Sequence, residues 1–358
     1  MANLLRLLLS VAEKAANVAR VCRQEAPLFE LLVQEKTGAD KNKKFVQDFK
    51  TLADVVIQEM IRHDVCAQFP ELNGFIYGEE SNKFENGHGE SVTVTVCAKQ
   101  EDTTALLAKV LDGDGMAASL LAEAIHQKLQ LKDELAEKLK LPLKPEDLAI
   151  WIDPIGLPCA LVLIGVYMRD TGEPVMGVIN QPFTRKDSTG KRWQGRYFWG
   201  VSYQEINLCS FTPCQRPDGK TPDSLSVVLS SSEKQEVKDA LLPLCDGQLT
   251  YASGAGYKVL CVIQGLVDMY VLSEGSTYKW DSCAPHAILR ALGGGICDLS
   301  QCLSAVRNGN KDLRAELTYN NPHAGCQGAE QWANQGGLVA YLDSSVLSRV
   351  VEALADKI

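Results

Sequence analysis

Apolar residues near the N-terminus recur at helical spacing. They stand at Leu4, Leu5, Leu8, Val11, Ala12, Ala15, Val18 and Ala19. Charged residues at Arg6, Glu13 and Lys14 interrupt the run, so it predicts an amphipathic helix rather than a signal peptide. Apolar positions at the same spacing predict helices over residues 3–34 and 45–63.

Strand-like patterns follow this helical part. "GFIYGEESN" predicts a short strand that ends at the acidic pair Glu79 and Glu80, and "ESVTVTVCA" alternates as a strand does. Helical spacing returns between residues 103 and 140. A strand ending at Asp153 comes next, and three antiparallel strands are predicted after it, in "CALVLIGVYM", "PVMGVINQPF" and "RWQGRYFWGVSY".

Proline, glycine and polar residues concentrate over residues 209–224, and the pattern changes beyond them. Before this stretch, blocks of helix and blocks of strand predict an α+β domain over residues 1–215. After it, strands such as "LSVVLS", "VDMYVL" and "GLVAYL" alternate with helical segments, which predicts an α/β domain over residues 216–358. The length of 358 residues also favours two domains over one.

Composition narrows the class of function. The net charge is −9 and no long run of Lys or Arg occurs, which argues against a nucleic-acid partner. The 12 cysteines form no CxxC pair and the five histidines lie far apart, so we expect reduced thiols in a cytoplasmic protein and no zinc site. No segment has the roughly 18 uninterrupted apolar residues of a membrane span, so no membrane partner is expected.

Acidic residues stand at the ends of several predicted elements. Asp54 lies in the second helix, Glu79 and Glu80 follow one strand, Asp153 ends another, and Asp281 begins a helix. Taken singly, each has an ordinary explanation: a solvated helix position for Asp54, a solvated turn for the Glu pair, and an N-cap for Asp281.

Their order along the chain is more specific. An Asp in a helix, a strand with "GEES", a strand with "DPI", and "WD" opening a helix that ends in "GG" follow one another. This order resembles the Mg²⁺-dependent, lithium-sensitive phosphatases of the inositol monophosphatase and fructose-bisphosphatase superfamily. Stretches such as "KNKKFVQDFKTLADVVIQE" and "KWDSCAPHAILRALGGG" are similar to the branch that removes the 1-phosphate from inositol polyphosphates, including inositol 1,4-bisphosphate and inositol 1,3,4-trisphosphate.

The resemblance implies a fold and a cofactor. The fold is a layered αβαβα sandwich of the sugar-phosphatase type, with a Mg²⁺ site between its halves. Separately, we expect the protein to be a monomer. Glu79, Asp153 and the backbone carbonyl of Ile155 would hold a first ion, and Asp153 would bridge to a second ion that Asp281 also holds. Carboxylate and carbonyl oxygens are the donors that Mg²⁺ prefers.

The resemblance also assigns roles around the metal and the substrate. Asp54 and Glu80 would shape the water network, with Asp54 near a further ion. The residues implied to contact the inositol and its second phosphate are Ser232, Lys234, Gly254, Ala255 and Lys258. Small residues before a helix leave backbone N–H groups that can approach a phosphate, although a tight turn is the ordinary explanation for Gly254.

The family pattern breaks after Ile155. In the family, the DPI motif continues with a second Asp, a small residue and Thr. Here Gly156, Leu157 and Pro158 lead directly into "CALVLIGVY". Neither Pro158 nor Cys159 can replace the second Asp as a metal ligand or the Thr as a water-orienting hydroxyl. A segment is therefore missing, and we expect weak metal binding and slow turnover.

Three hypotheses follow from this sequence. The first is a phosphomonoesterase acting on inositol polyphosphates, a small-molecule substrate class. The second is a catalytically silent isoform that binds a ligand or partner without turnover. The third is a related bisphosphate nucleotidase.

Overall fold

We describe the protein from a computed structural model, which describes residues 2–24, 33–35, 49–85, 89–155, 160–190, 192–214, 224–310 and 312–358. The α-helices are α1 (Ala2–Gln24), α2 (Leu52–Gln68), α3 (Gln100–Val110), α4 (Gly115–His126), α5 (Glu134–Lys138), α6 (Gln235–Leu241), α7 (Ala255–Ile263), α8 (Lys279–Ala291), α9 (Leu299–Arg307) and α10 (Ser344–Ala355). Short 3₁₀ turns lie at Pro70–Leu72, Pro145–Asp147, Leu242–Cys245 and Gly328–Trp332.

The strands form two large sheets and two small ones. They are β1 (Val33–Glu35), β2 (Phe49–Thr51), β3 (Ile76–Gly78), β4 (Lys83–Glu85), β5 (Ser91–Thr93), β6 (Leu148–Asp153), β7 (Val162–Met168), β8 (Pro174–Lys186), β9 (Trp193–Tyr203), β10 (Ile206–Cys209), β11 (Val227–Leu229), β12 (Thr250–Tyr251), β13 (Met269–Leu272), β14 (Gly295–Asp298) and β15 (Leu338–Tyr341). The first sheet has the order β10-β9-β8-β7-β6-β3 and the second has the order β12-β11-β13-β15-β14. Antiparallel hairpins β1-β2 and β4-β5 stand apart from both.

Pairing in the sheets agrees with the predicted classes. Strands β7, β8 and β9 are antiparallel, as the sequence predicted, whereas β3 runs parallel to β6 at the edge of the first sheet. In the second sheet β12, β11 and β13 are parallel, and β15 runs antiparallel to β13 and β14. The predicted domain boundary at residues 215 and 216 lies outside the described residues, so the division into two domains stays a prediction.

Side-chain alternation along the strands sorts the core into layers. Ile150 and Ile152 of β6 pack with α1 to α4 on the outer face of the first sheet, whereas Trp151 packs with α7 and α8 on its inner face. On the other side of α7 and α8 lies the second sheet, whose far face is covered by α6, α9 and α10. Five layers result, which confirms the αβαβα sandwich.

A row of three glycines lets α8 lie unusually close to the first sheet. Gly165, Gly177 and Gly200 are cross-strand neighbours on β7, β8 and β9. A Cβ atom on Gly177 would stand 2.0 Å from the backbone oxygen of Ala284, and one on Gly165 would stand 2.5 Å from its backbone nitrogen. Because those atoms are helix backbone, a side chain at either position would push α8 off the sheet.

Several helix boundaries differ from the predicted ones. Of the helix predicted over residues 3–34, the structure describes Ala2–Gln24 as helix and Val33–Glu35 as a strand, and residues 25–32 lie outside the described part. The helix predicted over residues 45–63 begins at Leu52 and continues to Gln68. Thr51 and Asp54 form a capping box that sets where the second helix begins. The Thr51 hydroxyl accepts the backbone N–H of Asp54, and the Asp54 carboxylate accepts the backbone N–H of Thr51. Residues 36–48 lie outside the described part of the chain.

The remaining differences have local causes. The helical stretch predicted over residues 103–140 is three helices, because Asp114 and Asp133 cap new starts and Gly113 takes a positive φ of 91°. The strand predicted in "ESVTVTVCA" is only the three residues of β5. Strand β14 and helix α9 were not predicted. Within the described part of the chain, no helix combines the length and apolar character needed to cross a bilayer.

We expect Gly177→Ala to lower the free energy of unfolding by about 3 kcal/mol, since the added methyl group meets helix backbone that cannot give way locally. Urea denaturation measures this change. Gly115→Ala is the matched control, because open space surrounds Gly115, and it should change the free energy by no more than about 0.5 kcal/mol. Equal effects of the two substitutions would contradict the close seating of α8.

Candidate active site

The parallel pair β3 and β6 brings two of the predicted metal ligands to one edge of the first sheet. Gly78 pairs with Ile152, and the backbone N–H of Glu79 donates to the carbonyl of Ile152 over 3.2 Å. Glu79 and Asp153 therefore leave neighbouring strands at the same end. Asp153 is buried, with 3% of its surface exposed.

An aromatic cluster lies on the face of the first sheet that Asp153 shares. The rings of Tyr77 and Trp151 lie 5.1 Å apart on the inner face of the sheet. Because residues two apart on a strand share a face, Asp153 follows Trp151 onto that face, and Glu79 leaves β3 two residues beyond Tyr77. The indole of Trp151 is itself held, since its N–H donates to the carbonyl of Tyr319 over 3.1 Å.

The same cluster connects to the third predicted ligand. Trp280 packs on Trp151 with ring centroids 5.8 Å apart, and Asp281 is the next residue in α8. The Asp281 carboxylate accepts the backbone N–H of Tyr278 over 2.7 Å, so it also closes the first turn of α8, as the capping explanation predicted. Burial first, and then the charges of Asp281 and Glu233, raise the pKa of Tyr270 above its usual range.

Gln58 holds the turn that carries the acidic pair. Its amide group accepts the backbone N–H of Glu80 over 2.9 Å and donates to the carbonyl of Glu80 over 2.5 Å. Gln58 is fully buried, and a Cβ atom on Gly78 would stand 2.0 Å from its side-chain oxygen. The glycine of the "GEES" motif is therefore required by the space that Gln58 occupies. Sequence reasoning missed Gln58, although its position one helical turn after Asp54 could have indicated it.

Asp54 is not a solvated helix position. It is 8% exposed, and its carboxylate accepts both the backbone N–H and the hydroxyl of Thr51, over 2.7 and 2.8 Å. Burial and, secondarily, the charge of Asp54 raise the pKa of the Cys22 thiol to about 12. The Asp54 carboxylate therefore lies near the end of α1 as well as at the start of α2. The explanation of Asp54 as a solvated helix position is therefore wrong.

The start of α7 lies over the strand next to Asp153. Gly254 caps this helix with a φ of 82°. A Cβ atom on Gly256 would stand 2.9 Å from a methyl group of Leu163, and Leu163 is the cross-strand partner of Asp153. The backbone of Gly254 and Ala255 therefore lies near the end of the first sheet that carries Asp153. The substrate contacts predicted from sequence would lie there.

The other predicted substrate residues have different environments. Lys258 is buried, and its ammonium group donates to the carbonyls of Gly254 and Ala252 over 3.2 and 3.4 Å. The Lys258 side chain therefore holds the loop before α7 through two backbone carbonyls. Ser232 and Lys234 are exposed on the segment before α6. That segment is tied to the end of β13, because the buried carboxylate between them, Glu233, accepts from the hydroxyl and the backbone N–H of Ser273.

One buried cation near the site was not predicted. Lys279 begins α8, its ammonium group donates to the carbonyl of Asn321 over 2.6 Å, and burial lowers its pKa to about 8. It also lies 5.7 Å from the ring centroid of Trp332, a further member of the aromatic cluster. Nothing in the spacing of the sequence distinguishes this lysine from an exposed one.

Comparison with known proteins decides the family. A model of the inositol monophosphatase family matches residues 4–347. The chain belongs to the inositol monophosphatase family. Inositol polyphosphate 1-phosphatase of Mus musculus is 45% identical over 390 residues, which cover 99% of this chain and 98% of the relative. That alignment is longer than the 358 residues of this chain, so the mouse protein has residues without a counterpart here.

Other similar proteins are more distant. The 3'(2'),5'-bisphosphate nucleotidase 1 of Mus musculus is 26% identical over 307 residues, 81% of each chain. The crystal structure of an IMPase/NADP phosphatase complexed with NADP and Ca²⁺ matches 97% of this chain and 93% of its own, with a TM-score of 0.52 and 11% identity. An inositol monophosphatase from Zymomonas mobilis matches 98% and 96%, with a TM-score of 0.50 and 13% identity. These likenesses show a shared fold.

The residues of this family member fit a hard divalent ion by donor type. Glu79, Asp153 and the carbonyl of Ile155 offer only oxygen, as Mg²⁺ requires. Among the described residues, no three His, Cys, Asp or Glu side chains stand close enough together to hold a metal as they are placed. The ligand set therefore stays a prediction, and so do the consequences of the break at Gly156–Cys159, which lies outside the described residues.

We expect Gln58→Leu to lower the free energy of unfolding by about 2–4 kcal/mol. The substitution leaves the backbone N–H and carbonyl of Glu80 without their buried hydrogen-bond partner. Urea denaturation measures the loss. Gln68→Leu, at the exposed end of the same helix, is the matched control and should be close to neutral. If Gln58→Leu left the free energy of unfolding unchanged, Gln58 would not hold the turn that carries Glu79 and Glu80.

Proposed function

We propose that this chain is a Mg²⁺-dependent, lithium-inhibited phosphomonoesterase that removes the 1-phosphate from inositol polyphosphates. The observation that carries the proposal is the aromatic cluster of Tyr77, Trp151 and Trp280, each followed within two residues by an acidic side chain. Family membership supports the reaction class. The higher identity to the inositol polyphosphate 1-phosphatase than to the bisphosphate nucleotidase favours an inositol polyphosphate over a nucleotide.

The acidic edge of the first sheet would hold the metal. We assign one Mg²⁺ to Glu79, Asp153 and the carbonyl of Ile155, and a second to Asp153 and Asp281. Bound Mg²⁺ would supply a polarised phosphate and an activated water. Before any metal arrives, burial and the β3-β6 pairing already direct Asp153 toward the inner face, so little reorganisation of the backbone is needed.

The neighbouring acidic groups would order the attacking water. Glu79 follows β3 at the end of the sheet that carries Asp153, and Gln58 fixes the backbone of Glu80 beside it. Asp54 is fixed by its own hydrogen bonds to Thr51. Because these positions are held by hydrogen bonds and not by exposed flexible segments, the water network would be preorganised.

The substrate would lie against the start of α7. Backbone N–H groups at Gly254 and Ala255 can donate to a ring hydroxyl or phosphate, and the helix dipole favours the negative charge there. Lys258 keeps the loop in place and adds positive charge beneath it. Ser232 and Lys234 would contact the second phosphate, which inositol monophosphates lack.

A second candidate function is favoured by one specific observation, the absence after Ile155 of the Asp and Thr of the family motif. A chain without them would bind a ligand or partner with little turnover. We propose a cytoplasmic monomer in both cases.

We expect this chain to release phosphate slowly from inositol 1,4-bisphosphate with Mg²⁺. A version with an Asp-Ser-Thr start, helix and loop inserted between Ile155 and Gly156 should be faster by about a hundredfold or more, since each lost group of this kind typically costs that much. Lithium should inhibit both versions. Phosphate release is measured on a panel that includes inositol 1-phosphate and a 3'-phosphoadenosine nucleotide.

The panel separates the candidates. No release by either version, with ligand binding retained, would support the silent isoform and contradict the phosphatase. Faster release from the nucleotide than from the inositol polyphosphate would contradict the substrate class. Equal rates for the two versions would show that the break after Ile155 has no catalytic consequence.

A further inference from the structure

A basic hairpin projects from the acidic edge of the first sheet. Strand β7 begins at Val162, which pairs with Asn180, so β8 continues past this point with only β9 beside it. Asp153 belongs to the same end of the sheet, because it pairs with Leu163 and Leu163 with Ile179. At about 3.3 Å per residue, the hairpin extends roughly 20 Å beyond this row.

The exposed charges on this hairpin are nearly all positive, in a chain of net charge −9. We call the following five side chains the basic arm: Arg23 from the end of α1, and Arg185, Lys186, Arg192 and Arg196 from the hairpin. The carboxylate of Asp187 lies among them, but it accepts the backbone N–H groups of Thr189 and Arg192 and so closes the turn. None of the five cations forms an ion pair with another residue that the structure describes.

Neighbouring side chains hold the cations of the basic arm in place. Arg23 lies 4.7 Å from the ring centroid of Phe183 and 5.0 Å from that of Trp193, and Lys186 lies 5.4 Å from the same Trp193 ring. Arg196 lies 5.0 Å from the ring centroid of Phe198. Because these rings are partly or fully buried, each contact anchors a stem while the charge stays at the surface.

The cations occupy both faces of the hairpin and its tip. Arg185 donates to Gln194 across the strands over 2.8 Å, and Arg196 lies two residues beyond Gln194, so these two arginines share a face. Lys186 pairs with Trp193 on the opposite face, where Arg23 also lies, and Arg192 is at the turn. A flat patch on another protein would meet only one of these faces. A layer of anionic headgroups would surround all of them.

We propose that the basic arm docks this protein on a bilayer that contains anionic lipids. Each cation near such a surface adds about a fivefold increase in binding, and Trp193 beside the tip is an amphipathic ring suited to the headgroup layer. The cations are spread over both faces of the hairpin and so do not enclose a small anion. Docking would turn the edge that carries Asp153 toward the membrane. A peripheral contact of this kind leaves no apolar span, which is why the hydropathy pattern predicted no membrane partner.

Sedimentation of the full chain with vesicles tests the proposal. The protein should bind vesicles of phosphatidylcholine and phosphatidylserine, should not bind phosphatidylcholine alone, and should dissociate as salt is raised. Arg185→Gln with Arg196→Gln should weaken binding about thirtyfold. Lys140→Gln with Lys144→Gln removes the same charge from exposed positions on a distant segment and should leave binding unchanged.

A charge-retaining pair separates charge from folding. Arg185→Lys with Arg196→Lys should bind within a few fold of the wild type, and the melting temperatures of all variants identify any that unfold. Failure of the wild type to bind the anionic vesicles would overturn the proposal. Equal losses in the arm and control variants would overturn it too, as would binding to polyglutamate without binding to vesicles, which would indicate an acidic protein partner.

Discussion

The close contact between α8 and the row of Gly165, Gly177 and Gly200 is the constraint on which the site depends. Helix α8 belongs to the middle layer of the sandwich and carries Asp281, whereas Asp153 belongs to the first sheet. With α8 backbone lying against bare glycines, Trp280 reaches Trp151, and the two carboxylates beside these rings come to one side of the sheet. Larger residues in the row would separate the two halves of the proposed metal centre.

The candidate site residues could be picked out from sequence because they lie at the ends of predicted elements. The family resemblance grouped Glu79 with Asp153 as metal ligands, and the parallel pair β3 and β6 brings the two residues to the same end of the first sheet. The sequence could not show the contacts that hold these residues in place from positions far away along the chain. Gln58 holds Glu80 across 22 positions of the chain, and Trp151 is fixed by Tyr319, which lies 168 positions away. Such contacts have no local periodicity.

The fold was predicted best where most residues of a strand are buried in the core. Strands β7, β8 and β9 were predicted from stretches separated by turn residues, and β15 from the apolar run "GLVAYL". The boundaries of helices were predicted less well, because capping decides them: Thr51 with Asp54 starts α2 later than the apolar spacing suggested. Strand β14 and helix α9 were missed because "GGGICDLSQC" begins with glycines, and only pairing with β15 makes its apolar residues a strand.

The central claim is that Glu79, Asp153 and Asp281 belong to one Mg²⁺ centre built across two layers of the sandwich. The most direct measurement is the shift in melting temperature that Mg²⁺ causes in the unmodified chain and in single variants. A bound ion stabilises the folded state by mass action, so the wild type should melt at a higher temperature with Mg²⁺. Asp153→Asn and Asp281→Asn should each remove most of that shift, whereas Asp147→Asn, at the exposed opposite end of β6, should retain it. A wild-type melting temperature that Mg²⁺ does not change, or an equal shift in all three variants, would contradict the account.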